Sequence, residues 1–357
     1  MWEWTRRSGR PAPNDTTATT RQDGGVSVHI GYAAMLEQFP PSDAVAYAEL
    51  AERHGFSGVM ATDHFQPWLP QQGQSAHVWS VLGAIGARTS GDFGPGVTTP
   101  TFRTHPAVVA QASATLASMY PGRHWLGIGS GEALNEHVVG EYWPEAHERI
   151  ARMFEAVEVI RKLFAASIAG REVRHHGPHF RMETTRLWTM PPVAPKVLVA
   201  TAGPVTARRA GKIADGLITT GGPYDRLAAL IARFAEGARE SGRDASTMPR
   251  VLQLHVSWAE TDAEAMRNAL TEWPIGGMRF SRSDIRSPFE FEQLARTVRP
   301  EDFQGRMLVS SDPDAHRAHL QRHLDLGFDR IYLHNVGRNQ EQFLEVFGRE
   351  VLPGLRA

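Results

Sequence analysis

The stretch Gly55–Trp68, GFSGVMATDHFQPW, joins a short apolar run to a group of polar and aromatic side chains. The run Gly58–Thr62 is typical of a buried strand, and Asp63, His64 and Trp68 follow at its C-terminal end. In α/β barrels the ligand lies over the C-terminal ends of the strands, where loops vary while the barrel stays fixed. The stretch therefore predicts a parallel α/β fold and the position of its active site.

From Val26 onward, short apolar runs alternate with amphipathic helical segments, a pattern that indicates a parallel sheet with helical crossovers. Eight runs are predicted as strands: Val26–Tyr32, Gly58–Thr62, Phe93–Thr98, Trp125–Gly129, Lys196–Thr201, Gly216–Thr220, Val251–Trp258 and Arg330–His334. Helical patterns between them include Ala44–His54, Pro106–Met119, Ala146–Phe164, Ala207–Ile213, Arg226–Ser241 and Pro313–Leu326. This order favours a closed (β/α)8 TIM barrel, with an open doubly wound sheet as the alternative.

Composition restricts the partners of the chain. Of its 357 residues, 41% are hydrophobic, which is enough for a buried core, and 38 basic residues are balanced by 39 acidic ones. This balance gives no general reason to bind nucleic acid or a membrane, and no apolar run reaches the roughly 18 residues of a membrane helix. The absence of cysteine excludes disulfides and thiolate catalysis, and fits the cytoplasmic location that we expect.

A single barrel domain over residues 26–357 is predicted to follow a flexible extension, residues 1–25, which is polar and has no periodicity. Two insertions interrupt the barrel pattern, near residues 168–192 and near residues 272–305.

Both insertions carry residues that bear on function. In the first, Glu172–Met190 resembles a β-hairpin; its His175, His176 and His179 are unevenly spaced and lack clustered carboxylates. A solvated hairpin is therefore favoured over a metal site, and no metal is predicted. In the second, Pro274–Gln304 is a long charged stretch and a candidate lid, since long loops without structure of their own often cover binding sites.

Polar or glycine-rich segments follow six successive predicted strands. Because the C-terminal ends of parallel strands meet at one end of a barrel, these segments are predicted to surround a common cavity. The segments are Glu37–Pro40, Asp63–Trp68, Val97–Thr101, Gly127–Asn135, Thr201–Pro204 and Thr219–Gly222.

The fourth of these segments, in GIGSGEALNE, gives the most specific indication of a binding site. Its glycines let backbone amides approach a ligand, and the following helix start favours an anionic group at Ser130 and Gly131. Glu132 is either a functional carboxyl or one that only interacts with the helix dipole. The spacing is GxGxG on the fourth strand, not GxGxxG on the first, so nicotinamide binding is only weakly supported.

His64 is predicted to be a general base, because an imidazole titrates near neutral pH and suits proton transfer. The alternative is a buried histidine satisfied by a backbone carbonyl. Asp63 points the other way along the strand, so Glu37, from the tip of the first strand, is better placed to orient the ring. Trp68 is either core packing or a flat wall against a ligand ring.

Six motifs carry a resemblance to a known family: LEQF (36–39), TDHFQPW (62–68), TPTFR (99–103), GSGEALNE (129–136), AGP (202–204) and SDPDAH (311–316). Together they resemble the coenzyme F420-dependent glucose-6-phosphate dehydrogenases of the luciferase-like barrel superfamily. The similarity runs from about Val28 to the C terminus.

The resemblance implies hydride transfer from the C1 carbon of a sugar 6-phosphate to F420, a deazaflavin, with a lactone as product. It implies that His64 takes the hydroxyl proton and that Glu132 protonates the reduced ring nitrogen. Trp68 is expected to stabilise the reacting centre, with Glu37 beside His64. A homodimer is the expected assembly.

The resemblance also implies the cofactor contacts. A non-prolyl cis peptide bond is expected at Gly96-Val97, behind the ring. The expected contacts are Asp63, Gly96, Val97, Thr99, Ser130, Gly131, Asn135, Ala202, Gly203 and Val205.

Substrate recognition is where the chain departs from the family pattern. Thr220, Arg282 and Arg306 match three positions that hold the sugar phosphate in the family, but Pro223 replaces a lysine. Either phosphate affinity is weaker or other sugars are accepted, although the arginine at 282 permits a bidentate grip. Two alternatives remain open: an F420-dependent alcohol or hydroxy-lipid dehydrogenase without phosphate recognition, and a flavin-binding or noncatalytic barrel.

Overall fold

The computed structural model describes residues 28–356, so the predicted extension over residues 1–25 lies outside the described part. Its strands are β1 (His29–Ala34), β2 (Gly58–Ala61), β3 (Asp92–Pro95), β4 (Leu126–Ile128), β5 (Val173–His176), β6 (Arg181–Thr185), β7 (Val197–Ala200), β8 (Gly216–Thr220), β9 (Arg250–Ser257), β10 (Leu308–Val309) and β11 (Arg330–Asn335). Its α-helices are α1 (Pro41–Arg53), α2 (Val78–Arg88), α3 (Pro106–Met119), α4 (Ala133–Glu136), α5 (Ala146–Ile168), α6 (Pro204–Ile213), α7 (Tyr224–Glu240), α8 (Asp262–Glu272), α9 (Pro288–Ala295), α10 (Pro313–Asp325) and α11 (Gln340–Val346).

Eight strands form a closed parallel barrel. They hydrogen-bond in the order β3-β2-β1-β11-β9-β8-β7-β4. Two isolated parallel bridges, Phe93 to His124 and Thr98 to Ile128, join the first and last strands of that order. The predicted (β/α)8 TIM barrel is confirmed, and the open-sheet alternative is wrong.

The predicted strands agree with the barrel strands in number and place. The third ends at Pro95 rather than Thr98, although Thr98 still makes one bridge to Ile128. The first continues to Ala34 rather than ending at Tyr32, and its predicted start at Val26 lies outside the described residues. The strand beyond Pro95 is interrupted by the Gly96-Val97 peptide bond, which is cis as expected.

Side chains alternate between two environments along each barrel strand, as the period of two requires. On β9, Val251 belongs to the interior cluster with Met60 and Tyr332, whereas Leu252 and Leu254 pack outward with the helices. Interior positions near the C-terminal strand ends therefore point toward one mouth of the barrel, where the polar tips lie.

The first insertion is a hairpin, as predicted, because β5 and β6 pair antiparallel. The expectation of a solvated hairpin is wrong for His175, which is buried with Nε2 3.0 Å from Glu155 Oε1. The Glu155 carboxylate, from α5, also accepts hydrogen bonds from the amides of His179 and Phe180. Within residues 28–356 no group of three or more histidines and carboxylates is arranged to hold a metal ion.

The second insertion is not an irregular charged loop, because it contains α9 and two short 3-10 helices, Pro274–Gly277 and Pro300–Phe303. Its buried apolar side chains, including Phe291, pack in one cluster with Trp68. The insertion is therefore packed against the loop that follows β2, over the barrel mouth. Across the described residues, no helix has the length and apolar character needed to cross a membrane.

Candidate active site

His64 and Glu37 lie side by side at the ends of β2 and β1. Their Nδ1 and Oε1 atoms are 3.3 Å apart, an ion-pair distance without hydrogen-bond geometry. The other oxygen of Glu37 accepts a 2.6 Å hydrogen bond from Thr62 Oγ1, which itself accepts one from the Leu36 amide. Glu37 is fully buried and His64 is 14% exposed. The structure thus brings the predicted pair together, and no described backbone carbonyl binds the His64 ring.

Trp68 lies against the imidazole, with the ring centroids 5.0 Å apart. It is buried and packs edge to face with Phe291, at 5.2 Å. The guanidinium of Arg282 lies 5.5 Å from the centroid of the Trp68 ring. Trp68 is therefore part of the core packing and is in contact with both His64 and the guanidinium of Arg282.

Glu132 directly precedes the short helix α4, and its side chain makes no capping hydrogen bond to that helix, which argues against a purely structural role of the carboxyl at the helix start. Burial raises the pKa of Glu132, although the nearby charges of His64 and Arg282 act to lower it. Because a raised pKa keeps the carboxyl protonated to higher pH, this group is suited to donate a proton.

Asp63 belongs to an ion-pair network that sequence reasoning did not single out. Its Oδ2 accepts a 2.6 Å hydrogen bond from Thr98 Oγ1, and its Oδ1 lies 3.3 Å from Arg103 Nη2. Arg103 Nε also donates to Glu136 at 2.9 Å. Arg103 is the last residue of the motif TPTFR, and Glu136 is the last residue of GSGEALNE. Their positions in these motifs are the feature of the sequence that could have identified them as part of the site.

Asn135 fixes the loop that carries His64. Its side-chain oxygen accepts hydrogen bonds from the amides of Phe65, at 2.9 Å, and Gln66, at 3.2 Å. The Gln66 side chain donates to the carbonyl of Leu134 at 2.7 Å. The segments DHFQPW and GEALNE are thereby held together, as the common cavity requires.

The tips of β3 and β4 are also in contact. A Cβ on Gly131, where φ is +85°, would lie 2.9 Å from the Thr99 methyl carbon. A Cβ on Gly129 would lie 2.6 Å from a Val97 methyl carbon. Predicted cofactor contacts from the two tips, Gly96 to Thr99 and Ser130 to Gly131, therefore lie on adjacent backbone.

The remaining predicted cofactor contacts lie where α6 begins. Gly203 precedes the first helical residue, and its amide donates to Thr201 Oγ1 at 3.0 Å. Ala202 is exposed, and Val205 is 78% exposed although it is apolar. Amides in the first turn of a helix lack intrahelical acceptors, so this end is suited to an anionic group.

Two of the predicted phosphate ligands, Arg282 and Arg306, each bind a backbone carbonyl of the second insertion. Arg282 donates to the carbonyl of Ile275 at 3.1 Å, and Arg306 donates to that of Met278 at 2.8 Å. Burial lowers the pKa of Arg282 and the charge of Arg306 lowers it further, while Glu132 opposes both. Because the charges of Arg282 and Arg306 repel each other, an anionic ligand that contacts both is favoured.

The other residues of this region are arranged differently. Thr220 is exposed at the end of β8, and Pro223, which precedes α7, has no side-chain donor. Arg279 is 64% exposed and pairs with Asp302 at 3.4 Å, so its charge already has a partner away from Arg282 and Arg306.

The motifs, barrel and site agree with comparisons to known proteins. Residues 16–330 match the family model described as luciferase-like monooxygenase. The chain belongs to the luciferase-like family. A relative of this luciferase-like chain, F420-dependent glucose-6-phosphate dehydrogenase of Microbacterium testaceum, is 37% identical over 93% of the chain and 98% of its own length. The enzyme of the same name from Nakamurella multipartita is 38% identical over 92% and 97%.

A solved structure gives the same result for the luciferase-like fold. It is an F420-dependent secondary alcohol dehydrogenase in complex with an F420-acetone adduct, 31% identical, with a TM-score of 0.87. The match covers 93% of this chain and 100% of the other. The resemblance to F420-dependent glucose-6-phosphate dehydrogenases stated from the motifs is confirmed.

Proposed function

We propose that the protein is a coenzyme F420-dependent sugar-6-phosphate dehydrogenase, which oxidises the C1 hydroxyl of a glucose-6-phosphate-type sugar to a lactone. The observation that carries the proposal is the geometry around Trp68: the Trp68 ring lies 5.0 Å from the His64 imidazole, and the Arg282 guanidinium lies 5.5 Å from the centroid of the same ring. A base and a cation suited to phosphate are thus separated by a single side chain, and the charges of both act on the carboxyl of Glu132. The two F420-dependent glucose-6-phosphate dehydrogenases, similar over nearly the whole chain, support it.

The described residues fit a flat anionic cofactor. Gly96 and Gly131 carry no side chain that could cover a ring at these two strand tips, and neighbouring side chains occupy the positions that a Cβ would take. The amides in the first turn of α6, apart from Pro204, lack intrahelical acceptors and suit an anionic group. Asp63, Thr99 and Asn135 surround the same strand tips. Bound deazaflavin would supply the hydride acceptor.

His64 would act as the base on the C1 hydroxyl. Its Nδ1 faces Glu37, and its Nε2, which makes no hydrogen bond to a described residue, takes the hydroxyl proton as the carbon is oxidised. The imidazolium that forms is stabilised by the buried Glu37 carboxylate and by the Trp68 ring, 5.0 Å away. Thr62 holds Glu37 in place through its 2.6 Å hydrogen bond.

Glu132 would supply the second proton of the reaction. Because burial raises its pKa, the carboxyl carries a proton near neutral pH more readily than a free glutamic acid does. It releases that proton into the cavity as negative charge develops there, while Arg282 stabilises the carboxylate that remains.

Arg282 and Arg306 would hold the sugar phosphate, with Thr220 as a hydroxyl donor. Guanidinium groups bind phosphate oxygens through charge-assisted hydrogen bonds and allow bidentate contacts. Two arginines favour this substrate class over a plain alcohol, because the charge of Arg306 repels that of Arg282 and a phosphate bound to both relieves this repulsion. Because Pro223 stands where the family has a lysine, the phosphate has one hydrogen-bond donor fewer than in the family pattern.

The proposal includes a cytoplasmic location and a homodimer. The chain contains no cysteine, a composition compatible with a reducing compartment. The homodimer is proposed from the resemblance to the family, through the helices on the outside of the barrel.

The experiment that tests this function compares reduction of F420 by glucose 6-phosphate and by isopropanol. We expect turnover with the sugar phosphate, and we expect Arg306→Ala to raise its KM by about tenfold to a hundredfold, because a charge-assisted contact is lost. KM for unphosphorylated glucose should change far less.

Arg279→Ala is the matched control, since Arg279 is exposed and already paired with Asp302. Turnover of isopropanol alone would replace the proposed function with the alcohol dehydrogenase alternative. Equal effects of Arg306→Ala on phosphorylated and unphosphorylated sugars would remove the phosphate assignment.

A further inference from the structure

Two histidines that the proposed reaction does not use face the barrel mouth. His255 on β9 and His334 on β11 are register partners in adjacent strands. Val251 and Tyr332 lie on the same faces of these strands and belong to the interior cluster. Since side chains alternate along a strand, His255 and His334 also point inward, close to the C-terminal ends.

A short hydrogen-bond chain joins the two rings to Gln38, the residue after Glu37. His255 Nδ1 and His334 Nδ1 are 2.8 Å apart, and His334 Nε2 is 2.8 Å from Gln38 Oε1. The side-chain nitrogen of Gln38, Nε2, donates to the backbone carbonyl of Val336 at 3.0 Å. A carbonyl can only accept, so this last bond fixes Gln38 Oε1 as the acceptor toward His334.

The chain determines both tautomers. His334 must carry its proton on Nε2 to donate to Gln38, so its Nδ1 is an acceptor when the ring is neutral. His255 must then donate from Nδ1, which leaves its own Nε2 as a bare acceptor. Burial lowers the pKa of His255 to about 3 and that of His334 well below its ordinary value, so both rings are neutral at neutral pH.

The His255 ring is held in a fixed orientation next to the phosphate-binding arginines. The Trp273 ring packs against it with centroids 4.8 Å apart and an angle of 32° between the planes. The charge of Arg282 also acts on His255. His255 as a residue keeps some exposure at the barrel mouth, and its one described side-chain hydrogen bond is made by Nδ1, so Nε2 remains available to a ligand.

We propose that His255 is a specificity-determining residue, whose Nε2 accepts a hydrogen bond from a non-reacting hydroxyl of the sugar. The inference rests on the proposed function. A neutral acceptor near the cation of Arg282 selects a substrate that combines an anionic group with hydroxyl donors. His334 and Gln38 are positioning residues, because they act through the tautomer of His255.

The tautomers are testable without substrate. In protein labelled with ¹⁵N at histidine, we expect the His255 spectrum to show a protonated Nδ1 and an unprotonated Nε2 at pH 7, and the His334 spectrum to show the reverse. A charged His255, or His255 with its proton on Nε2, would overturn the inference.

Recognition of the hydroxyl is tested with two variants, one without and one with a hydrogen-bond acceptor near the position of Nε2. His255→Phe keeps a ring against Trp273 and removes the acceptor, whereas His255→Gln places an amide oxygen near the position of Nε2. For glucose 6-phosphate we expect His255→Phe to raise KM by about tenfold to a hundredfold with little change in kcat, because the bond is to a non-reacting group. His255→Gln should recover most of this loss.

Analogues of glucose 6-phosphate that lack the 2-, 3- or 4-hydroxyl identify the group bound. For one analogue, KM should be nearly the same with the wild type and with His255→Phe, since this analogue lacks the hydroxyl that binds His255 Nε2. The inference would be overturned, without affecting the proposed function, if His255→Phe had the KM of the wild type for glucose 6-phosphate. It would also be overturned if the substitution raised KM equally for every analogue. If the wild type turns over no sugar phosphate, the proposed function fails, and the hydroxyl recognition that rests on it fails too.

Discussion

Replacing His64 with alanine is expected to lower kcat for glucose 6-phosphate by about 10²–10⁴, the usual contribution of a positioned general base. Binding of F420 should stay close to wild type, because the loop that carries His64 is held by Asn135 and Gln66 rather than by the imidazole. Steady-state kinetics and a fluorescence titration of F420 measure the two quantities separately.

The control for this variant is His176→Ala, which removes an exposed histidine from the β5–β6 hairpin. It should leave both quantities unchanged. Glu37→Gln should give an intermediate loss, because it keeps the shape next to His64 but removes the charge that stabilises the imidazolium. Turnover by His64→Ala within a few-fold of wild type would show that another group is the base.

Replacing Glu132 with glutamine is expected to lower kcat by about 10²–10³, because an amide occupies the same space but has no transferable proton. The variant should also change the pH profile. The pKa of Glu132 is raised by burial, so the protonated, active form is present below that raised pKa and is lost as the pH rises through it. Wild-type kcat should therefore fall on the alkaline side, and this fall should be absent from the residual activity of Glu132→Gln.

Glu183→Gln serves as the matched control, since the Glu183 side chain is 89% exposed on the hairpin. Its profile should follow that of the wild type. A Glu132→Gln variant with wild-type kcat, or with an unchanged alkaline limb, would assign the second proton to another group.

The barrel was predictable because its strands are short apolar runs and its helices have a polar face. Pro106–Met119 was predicted with both of its ends, since Pro106 begins the helix and the apolar period stops at Met119. Helix α2 was missed because the exposed side of its sequence, VWSVLGAIGAR, carries small residues such as Ala84 and Ala87 instead of charged ones. A helix whose outer side is not polar gives little contrast between its two faces in the sequence.

The part of the site that lies in local sequence motifs could be predicted from the sequence. His64, Glu37 and Glu132 stand directly after predicted strands, so the barrel brings them together without further information. The pairing of His255 with His334 depends on which strands are neighbours, and β9 and β11 are separated by the second insertion. The packing of that insertion on Trp68 likewise depends on Phe291 and other apolar side chains dispersed among its charges.

The central claim is that His64 and Glu132 lie on two sides of one cofactor slot at the barrel mouth. A crystal structure of the protein with F420 bound tests it most directly. We predict that the deazaflavin ring lies between the imidazole of His64 and the carboxyl of Glu132, against the Gly96-Val97 backbone. A ring bound elsewhere, or one with both side chains on the same side, would contradict the account.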